Sequence, residues 1–300
     1  MLVVKLALRY RQFGADDGQL VVYFHGTPGA PEECAVFDQY GKEHNLTFIS
    51  YNRFSIDPKL KGGAYYQHLA DEIINKAAGN AVDLVGFSMG GFIALQVCRL
   101  MRTSVRNLHL VSAAAPLEAG GFIDMTAGKF VFWLAQKQPF AFHLLTRLQG
   151  LIASTHPSLV FRMMFANAAD EDKRLAASSE FQTAITGILK LCFTRYAAGY
   201  VRDIGAYVQP WNDMLSSIDI NTHIWHGADD NWSPVAMAEY LQSTIPGCSS
   251  TEIFNGLSHY SCLYRAAPEI CRQLGADSGG QHKCRAGIYD INSPLFEEVK

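Results

Sequence analysis

Short apolar runs of strand length alternate with amphipathic, helix-length segments along much of this chain. Strands are predicted at 20–24, 47–51, 82–85, 107–112, 222–226 and 250–254, and helices at 65–77, 89–101, 235–244 and 262–274. Strands that alternate with helices pair in parallel, because each helix carries the chain back across a face of the sheet. The pattern therefore predicts an α/β fold with a mostly parallel, buried central sheet flanked by helices.

A long segment without strand patterns interrupts this alternation. Residues 117–215 have helix-like, aromatic-rich sequence, and strands resume only after them. We expect residues 1–116 and 216–274 to form one α/β core and residues 117–215 an inserted helical cap, whose rings serve more often as core than as a pocket lining. Residues 275–300 are expected to be a loosely held C-terminal tail, in which a few apolar residues are able to dock: Ile288, Ile291, Leu295 and Phe296.

Charge and cysteine content limit the classes of partner. The net charge of -3 and the pI near 6.4 give no electrostatic case for nucleic acid or an anionic membrane surface, so a small-molecule substrate is the expected partner. No apolar stretch of membrane-spanning length is uninterrupted, and residues 1–8 lack the basic region and cleavage site of a signal peptide. The seven cysteines are scattered without a C-x-x-C pair, which favours reduced thiols and a cytoplasmic location.

A serine between two glycines is the first candidate for chemistry. The sequence Gly86-Phe87-Ser88-Met89-Gly90 lies between a predicted strand and a predicted helix. In a G-x-S-x-G elbow the serine occupies a strained strand-to-helix turn, and the helix N-terminus behind it favours developing negative charge. The alternative is an ordinary glycine-rich turn. The context favours Ser88 as a nucleophile.

A serine nucleophile needs a base and an acid that orients it. His259 follows the last predicted strand and is expected in a loop at the same sheet edge as the elbow, whereas His223 and His226 lie in a strand and His25 is expected to shape its glycine-rich loop. Asp229 and Asp230 both follow the strand at 222–226. Either is a candidate for the acid, and either is also a common cap or turn residue.

Four features in order resemble the α/β-hydrolase superfamily, in its serine-hydrolase branch with a helical cap. They are the H-G-T-P-G loop at 25–29, the elbow at 86–90, a G-x-x-D-x-x-x-P stretch at 227–234, and His259; the resemblance covers about 3–273. It implies that Asp230 is the acid, and that the backbone N–H groups of Thr27 and Met89 form the oxyanion hole. The family's D-x-x-G-x-G-x-S loop is replaced by unrelated sequence at 51–58, so close relatives are an unsafe guide to the substrate.

Several functions are compatible with this resemblance. The first is a carboxylic ester hydrolase that forms an acyl-enzyme and takes a small or medium apolar acyl group beneath the cap. The resemblance also includes carbon–carbon bond hydrolases, hydroxynitrile lyases and aminopeptidases acting on N-terminal proline, which would need a cap carboxylate for the substrate ammonium. A protein of the same fold that binds a small ligand with little turnover is the alternative of another class. Serine at position 88 disfavours haloalkane dehalogenases and epoxide hydrolases, whose nucleophile is aspartate. The cap carboxylates available to an aminopeptidase are Glu118, Asp124, Glu180 and Asp203.

No cofactor is expected. The sequence has no Cys/His cluster with metal-ligand spacing and no glycine-rich loop of the phosphate-binding pattern. The predicted site therefore contains neither a metal nor an organic group.

Overall fold

A computed structural model of the chain describes residues 8–278, and its centre is a seven-stranded sheet. The strands are β1 (Tyr10–Gly14), β2 (Gln19–Phe24), β3 (Leu46–Tyr51), β4 (Val82–Phe87), β5 (Val105–Val111), β6 (Asn221–Gly227) and β7 (Cys248–Phe254). Their order across the sheet is β1-β3-β2-β4-β5-β6-β7, and only β1 runs antiparallel to its neighbour. The predicted α/β class with a mostly parallel sheet is confirmed.

The antiparallel strand β1 was absent from the sequence prediction. It pairs with β3 from Tyr10 opposite Tyr51 to Gly14 opposite Thr47. β1 lies at the sheet edge and is largely exposed, so its sequence YRQFG lacks the apolar run that marked the buried strands.

Eleven α-helices are present in the described range. They are α1 (Asp38–Glu43), α2 (Gly62–Ala77), α3 (Met89–Met101), α4 (Lys129–Lys137), α5 (Pro139–Thr155), α6 (Pro157–Met164), α7 (Asp170–Ala177), α8 (Ser179–Thr194), α9 (Ala197–Tyr207), α10 (Val235–Thr244) and α11 (His259–Ser278). The apolar sequence of α3 is buried along almost its whole length, which fixes the helix behind Ser88 against the sheet. No helix in this range is long and apolar enough to cross a membrane.

The last helix is longer than predicted. α11 begins at His259 rather than at residue 262, so His259 lies in the first turn of a helix and not in a preceding loop. At its other end Ile270 and Leu274 are fully buried, and the helix continues through residues 275–278, which the sequence assigned to the tail. The rest of the predicted tail and residues 1–7 lie outside the described residues.

Helices α4–α9 lie between β5 and β6 as one insertion in the chain, here called the helical insertion (residues 117–215). Phe142, Phe161, Phe181 and Phe193 are buried within it. The parallel strands around it end at the same edge of the sheet, so the segments that follow β2, β4, β6 and β7 lie close together. These segments contain every residue that the sequence predicts for the site.

Candidate active site

The turn from β4 into α3 holds Ser88 in a backbone conformation that non-glycine residues rarely adopt. Ser88 has φ 56° and ψ -129°, its N–H donates to Val111 O at 2.9 Å, and its carbonyl accepts from Gly91 N at 3.0 Å and Ala114 N at 3.2 Å. A Cβ at Gly90 would overlap the Phe24 carbonyl oxygen. Such strain is typical of a nucleophile elbow, where it lifts the serine out of the turn.

Asp230 and His259 form a buried, charge-assisted pair. Asp230 Oδ2 lies 2.7 Å from His259 Nδ1, while its Oδ1 accepts the backbone N–H groups of Trp232 at 2.8 Å and Ser233 at 2.9 Å. Burial disfavours both charged forms, but the mutual attraction and the hydrogen bond outweigh it. The pKa of Asp230 is therefore lowered and the pKa of His259 raised.

The neighbouring aspartate has a different environment. Asp229 is exposed, and its N–H donates to Leu257 O at 3.0 Å. Of the two acids that follow β6, it is Asp230 that contacts the histidine, as the G-x-x-D spacing implied.

The His259 ring is held between the elbow and the loop of the acid. Phe87, which immediately precedes Ser88, has its ring centroid 4.8 Å from that of the imidazole, and Trp232 stacks on the imidazole at 5.3 Å. Ser112 Oγ donates to His259 O at 3.0 Å from the end of β5. These contacts place the His259–Asp230 pair against Phe87, the residue before Ser88, so the three segments predicted from the sequence meet at this edge of the sheet.

Buried side chains form hydrogen bonds with the loop that follows β2. Glu33 Oε2 accepts Gly26 N at 2.7 Å and the Tyr23 hydroxyl at 2.9 Å, and burial raises the pKa of Glu33 to about 7. Arg53 donates to the carbonyl oxygens of His25 at 2.7 Å and Gly26 at 3.1 Å, and to Thr27 Oγ1 at 2.8 Å. Among the described residues, the Thr27 N–H has no acceptor, nor has the Met89 N–H.

Arg53 is in turn fixed by the helical insertion. Its Nε donates to Asp203 Oδ2 at 2.8 Å, and the other oxygen of Asp203 pairs with Arg202 at 2.9 Å. All three side chains are buried. The sequence does not predict this network: residues 51–58 differ from the family's usual loop, and Asp203 is only one of four cap carboxylates that could hold an ammonium group. Asp203 is already paired with two arginines and is therefore not available to an ammonium group.

A second aspartate of the insertion lies at the start of α11. Asp172 of α7 accepts Tyr260 N at 3.0 Å and Ser261 N at 2.7 Å, directly after His259. Burial raises the pKa of Asp172, although both N–H groups oppose the shift. Its charge also adds to the rise in the pKa of His259. The carboxylate thus satisfies two of the free N–H groups of the helix and favours a protonated imidazole beside it.

Four other histidines of the described chain have structural environments. His226 Nε2 lies 2.7 Å from Ser233 O, and His25 Nδ1 lies 2.9 Å from Gly26 O. His223 and His109 stack on each other, with ring centroids 4.9 Å apart. The described residues contain no group of three or more His, Cys, Asp or Glu side chains placed to hold a metal ion.

A cavity of about 1160 Å³ lies between the core and the insertion. Tyr66 and Phe92 line it from the core, and Phe142, Phe193 and Trp211 line it from the insertion. Phe92 is one turn after Ser88 on α3, but Ser88, Thr27, Met89, Asp230 and His259 do not line the cavity. The cavity is therefore beside the candidate site and not directly over the serine.

Comparisons with known proteins agree with this architecture. Residues 71–266 match the family model described as "alpha/beta hydrolase fold". A search of curated protein sequences returns no significant match. Similar solved structures include a bromoperoxidase from Bacillus anthracis (TM-score 0.65, 19% identity, 89% of this chain and 94% of that one). An esterase from Exiguobacterium antarcticum has a TM-score of 0.63 at 20% identity, over 90% and 94% of the two chains. MenH from S. aureus has a TM-score of 0.62 at 18% identity, over 88% and 96%.

Proposed function

Because this chain belongs to the α/β-hydrolase family, we propose that it is a serine hydrolase that cleaves carboxylic esters with small or medium apolar acyl groups. Ser88 is the nucleophile, His259 the general base and Asp230 the acid that orients the imidazole. The N–H groups of Thr27 and Met89 form the oxyanion hole. One arrangement carries the proposal: a strained serine follows β4, and the ring of Phe87, the residue before it, has its centroid 4.8 Å from that of His259, whose Nδ1 lies 2.7 Å from the buried Asp230 carboxylate.

The reaction proceeds in two halves. Ser88 Oγ attacks the ester carbonyl while His259 takes the hydroxyl proton, and the Thr27 and Met89 N–H groups donate to the tetrahedral oxyanion. Collapse of this intermediate breaks the carbonyl–alkoxy bond, and the imidazolium returns its proton to the leaving alcohol. Water then attacks the acyl-enzyme by the same sequence and releases the acid and free Ser88. Asp230 stabilises the imidazolium in both halves, in agreement with the raised pKa of His259.

The environment of the imidazole favours an apolar substrate. Phe87 and Trp232 contact the ring, and Phe165 of the insertion lies 5.5 Å from Trp232 between ring centroids. An aminopeptidase would need a carboxylate for the substrate ammonium, but Asp203 is paired with Arg53 and Arg202. Glu118 is also engaged, since it accepts the N–H groups of Trp211 and Asn212. Ester hydrolysis is the better-supported reaction.

The two neighbouring aspartates provide a matched test. Turnover of p-nitrophenyl esters of graded acyl length is measured for the wild type, Asp230→Asn and Asp229→Asn. We expect Asp230→Asn to lower kcat by about 10⁴, the loss seen when a triad acid becomes an amide and the histidine tautomer changes. Asp229→Asn should retain nearly full activity, because that side chain is exposed. Greater loss in Asp229→Asn would refute the assignment of the acid, and equal, full activity in both would refute the triad.

A further inference from the structure

An exposed apolar surface covers helices α4 and α5 of the insertion. Its members are large side chains that project to solvent: Phe130, Trp133, Phe140, Leu144, Leu148 and Leu151. Phe140 is 85% exposed and Leu151 64% exposed. We call these six residues the apolar face. Contiguous exposed apolar groups on a folded protein mark a site that another apolar surface covers.

The spacing on α5 shows that this exposure is built into the helix. Residues 140, 144, 148 and 151 recur at helical spacing and so lie on one side of the helix, whereas Phe142 and Thr146 are buried on the other. On the neighbouring helix α4, Phe130 and Trp133 stack with ring centroids 6.5 Å apart, while Leu134 is buried. α5 thus has an apolar side toward solvent as well as one toward the protein.

The segment of chain that carries the apolar face has charges of one sign. Between Asp124 and Asp170 the sequence has no acidic residue, but it has four basic ones: Lys129, Lys137, Arg147 and Arg162. All four are exposed, and within residues 8–278 none of them pairs with a carboxylate. The whole chain has 25 basic and 28 acidic residues. Outside this segment there are therefore 21 basic and 28 acidic residues. The net charge of -3 for the whole chain does not favour binding to an anionic surface, but this segment has a local excess of positive charge.

We propose that the apolar face docks the protein onto the surface of an anionic phospholipid membrane. Helices that combine Trp, Phe and Leu with flanking Lys and Arg lie in the membrane interface, where apolar side chains enter the acyl boundary and cations meet lipid phosphates. A second copy of the chain is the less suitable occupant, because a two-fold contact through this face would bring like charges together. None of the six residues of the apolar face is a candidate catalytic residue, so the inference does not depend on the catalytic roles.

Binding to vesicles tests the proposal. Full-length protein is sedimented with vesicles of phosphatidylcholine and phosphatidylglycerol at 3:1, and with vesicles of phosphatidylcholine alone. We expect strong partition onto the anionic vesicles, weaker partition onto the neutral ones, and release at high salt. Absence of binding to the anionic vesicles would overturn the proposal.

Three variants separate the contributions. The triple change Phe140→Ser, Leu144→Ser and Leu148→Ser should lower the partition coefficient at least tenfold, because three apolar groups no longer enter the lipid. Lys137→Gln with Arg147→Gln should lower it about fivefold per charge on anionic vesicles only. The matched control is Ile74→Ser with Leu100→Ser, which removes exposed apolar groups from α2 and α3 and should leave binding unchanged.

Folding and self-association are measured on the same samples. Far-ultraviolet circular dichroism should be unchanged in all variants, since every altered residue is exposed. If the triple variant unfolds, the proposal is tested by the charge variant and by the salt dependence of wild-type binding. Equal loss of binding in the control would overturn the proposal. The proposal would also be overturned if the wild type formed a dimer in sedimentation velocity, the triple variant were a monomer, and the wild type did not bind vesicles.

Discussion

The inner and outer sides of the helical insertion have opposite chemistry. On the inner side two buried carboxylates contact the core. Asp203 pairs with Arg53, which donates to Thr27, and Asp172 accepts the two backbone N–H groups that follow His259. On the outer side the apolar face of α4 and α5 is exposed. Charges are thus buried where partners from the core satisfy them, and apolar groups are exposed where the described chain does not cover them. One segment supports the candidate site with its inner side and leaves its outer side available for an apolar surface.

A large loss of stability should come from breaking the inner network at its centre. Asp203→Ala leaves two buried guanidinium groups without their carboxylate, so we expect the free energy of unfolding to fall by about 3–5 kcal/mol. Urea denaturation measures the change. Asp219→Ala removes an exposed partner of Arg102 and should cause no measurable loss; a loss equal to that of Asp203→Ala would mean that burial does not distinguish the two pairs.

A pair of phenylalanines on one helix compares the two sides directly. Phe142 is 2% exposed and Phe140 is 85% exposed, although both lie in the first turn of α5. Phe142→Ala should cost about 3–5 kcal/mol in the free energy of unfolding, because it leaves a cavity. Phe140→Ala should change it by less than about 0.5 kcal/mol. Similar losses by thermal or urea unfolding would contradict the two-sided description of the insertion.

A smaller effect is expected in the pH dependence of catalysis. The Asp172 carboxylate stabilises the protonated form of His259 and so raises its pKa. A general base must be neutral, so the rate rises as pH passes upward through that pKa. Asp172→Asn should therefore move the acidic limb of the kcat/KM profile to lower pH.

Glu171→Gln is the control for this experiment, because Glu171 pairs with the exposed Arg174 and not with α11. It should leave the limb in place. A loss of stability in Asp172→Asn without a shift of the limb would indicate a purely structural role for Asp172.

Local pattern explains what the sequence predicted. The buried strands and α3 carry apolar runs that differ from their flanks, and the segments of Ser88, Asp230 and His259 have recognisable spacing at strand ends. The partners Arg53 and Asp203 are 150 residues apart, and Asp172 meets Tyr260 across 88 residues, so no local pattern marks either contact. Phe140 and Phe142 are the same residue type two positions apart, and only packing determines which one is buried. β1 and the first turn of α11 were missed for the same reason, because tertiary contacts define them.

Covalent labelling tests the nucleophile most directly. Wild-type protein and Ser88→Ala are treated with a fluorophosphonate, and intact-mass measurement and peptide mapping locate the adduct. A single adduct on Ser88 of the wild type and none on folded Ser88→Ala is the expected result, because only an activated serine attacks phosphorus at a useful rate. A folded wild type without an adduct, or Ser88→Ala labelled to the same extent, would contradict the assignment of Ser88 as the nucleophile of a serine hydrolase.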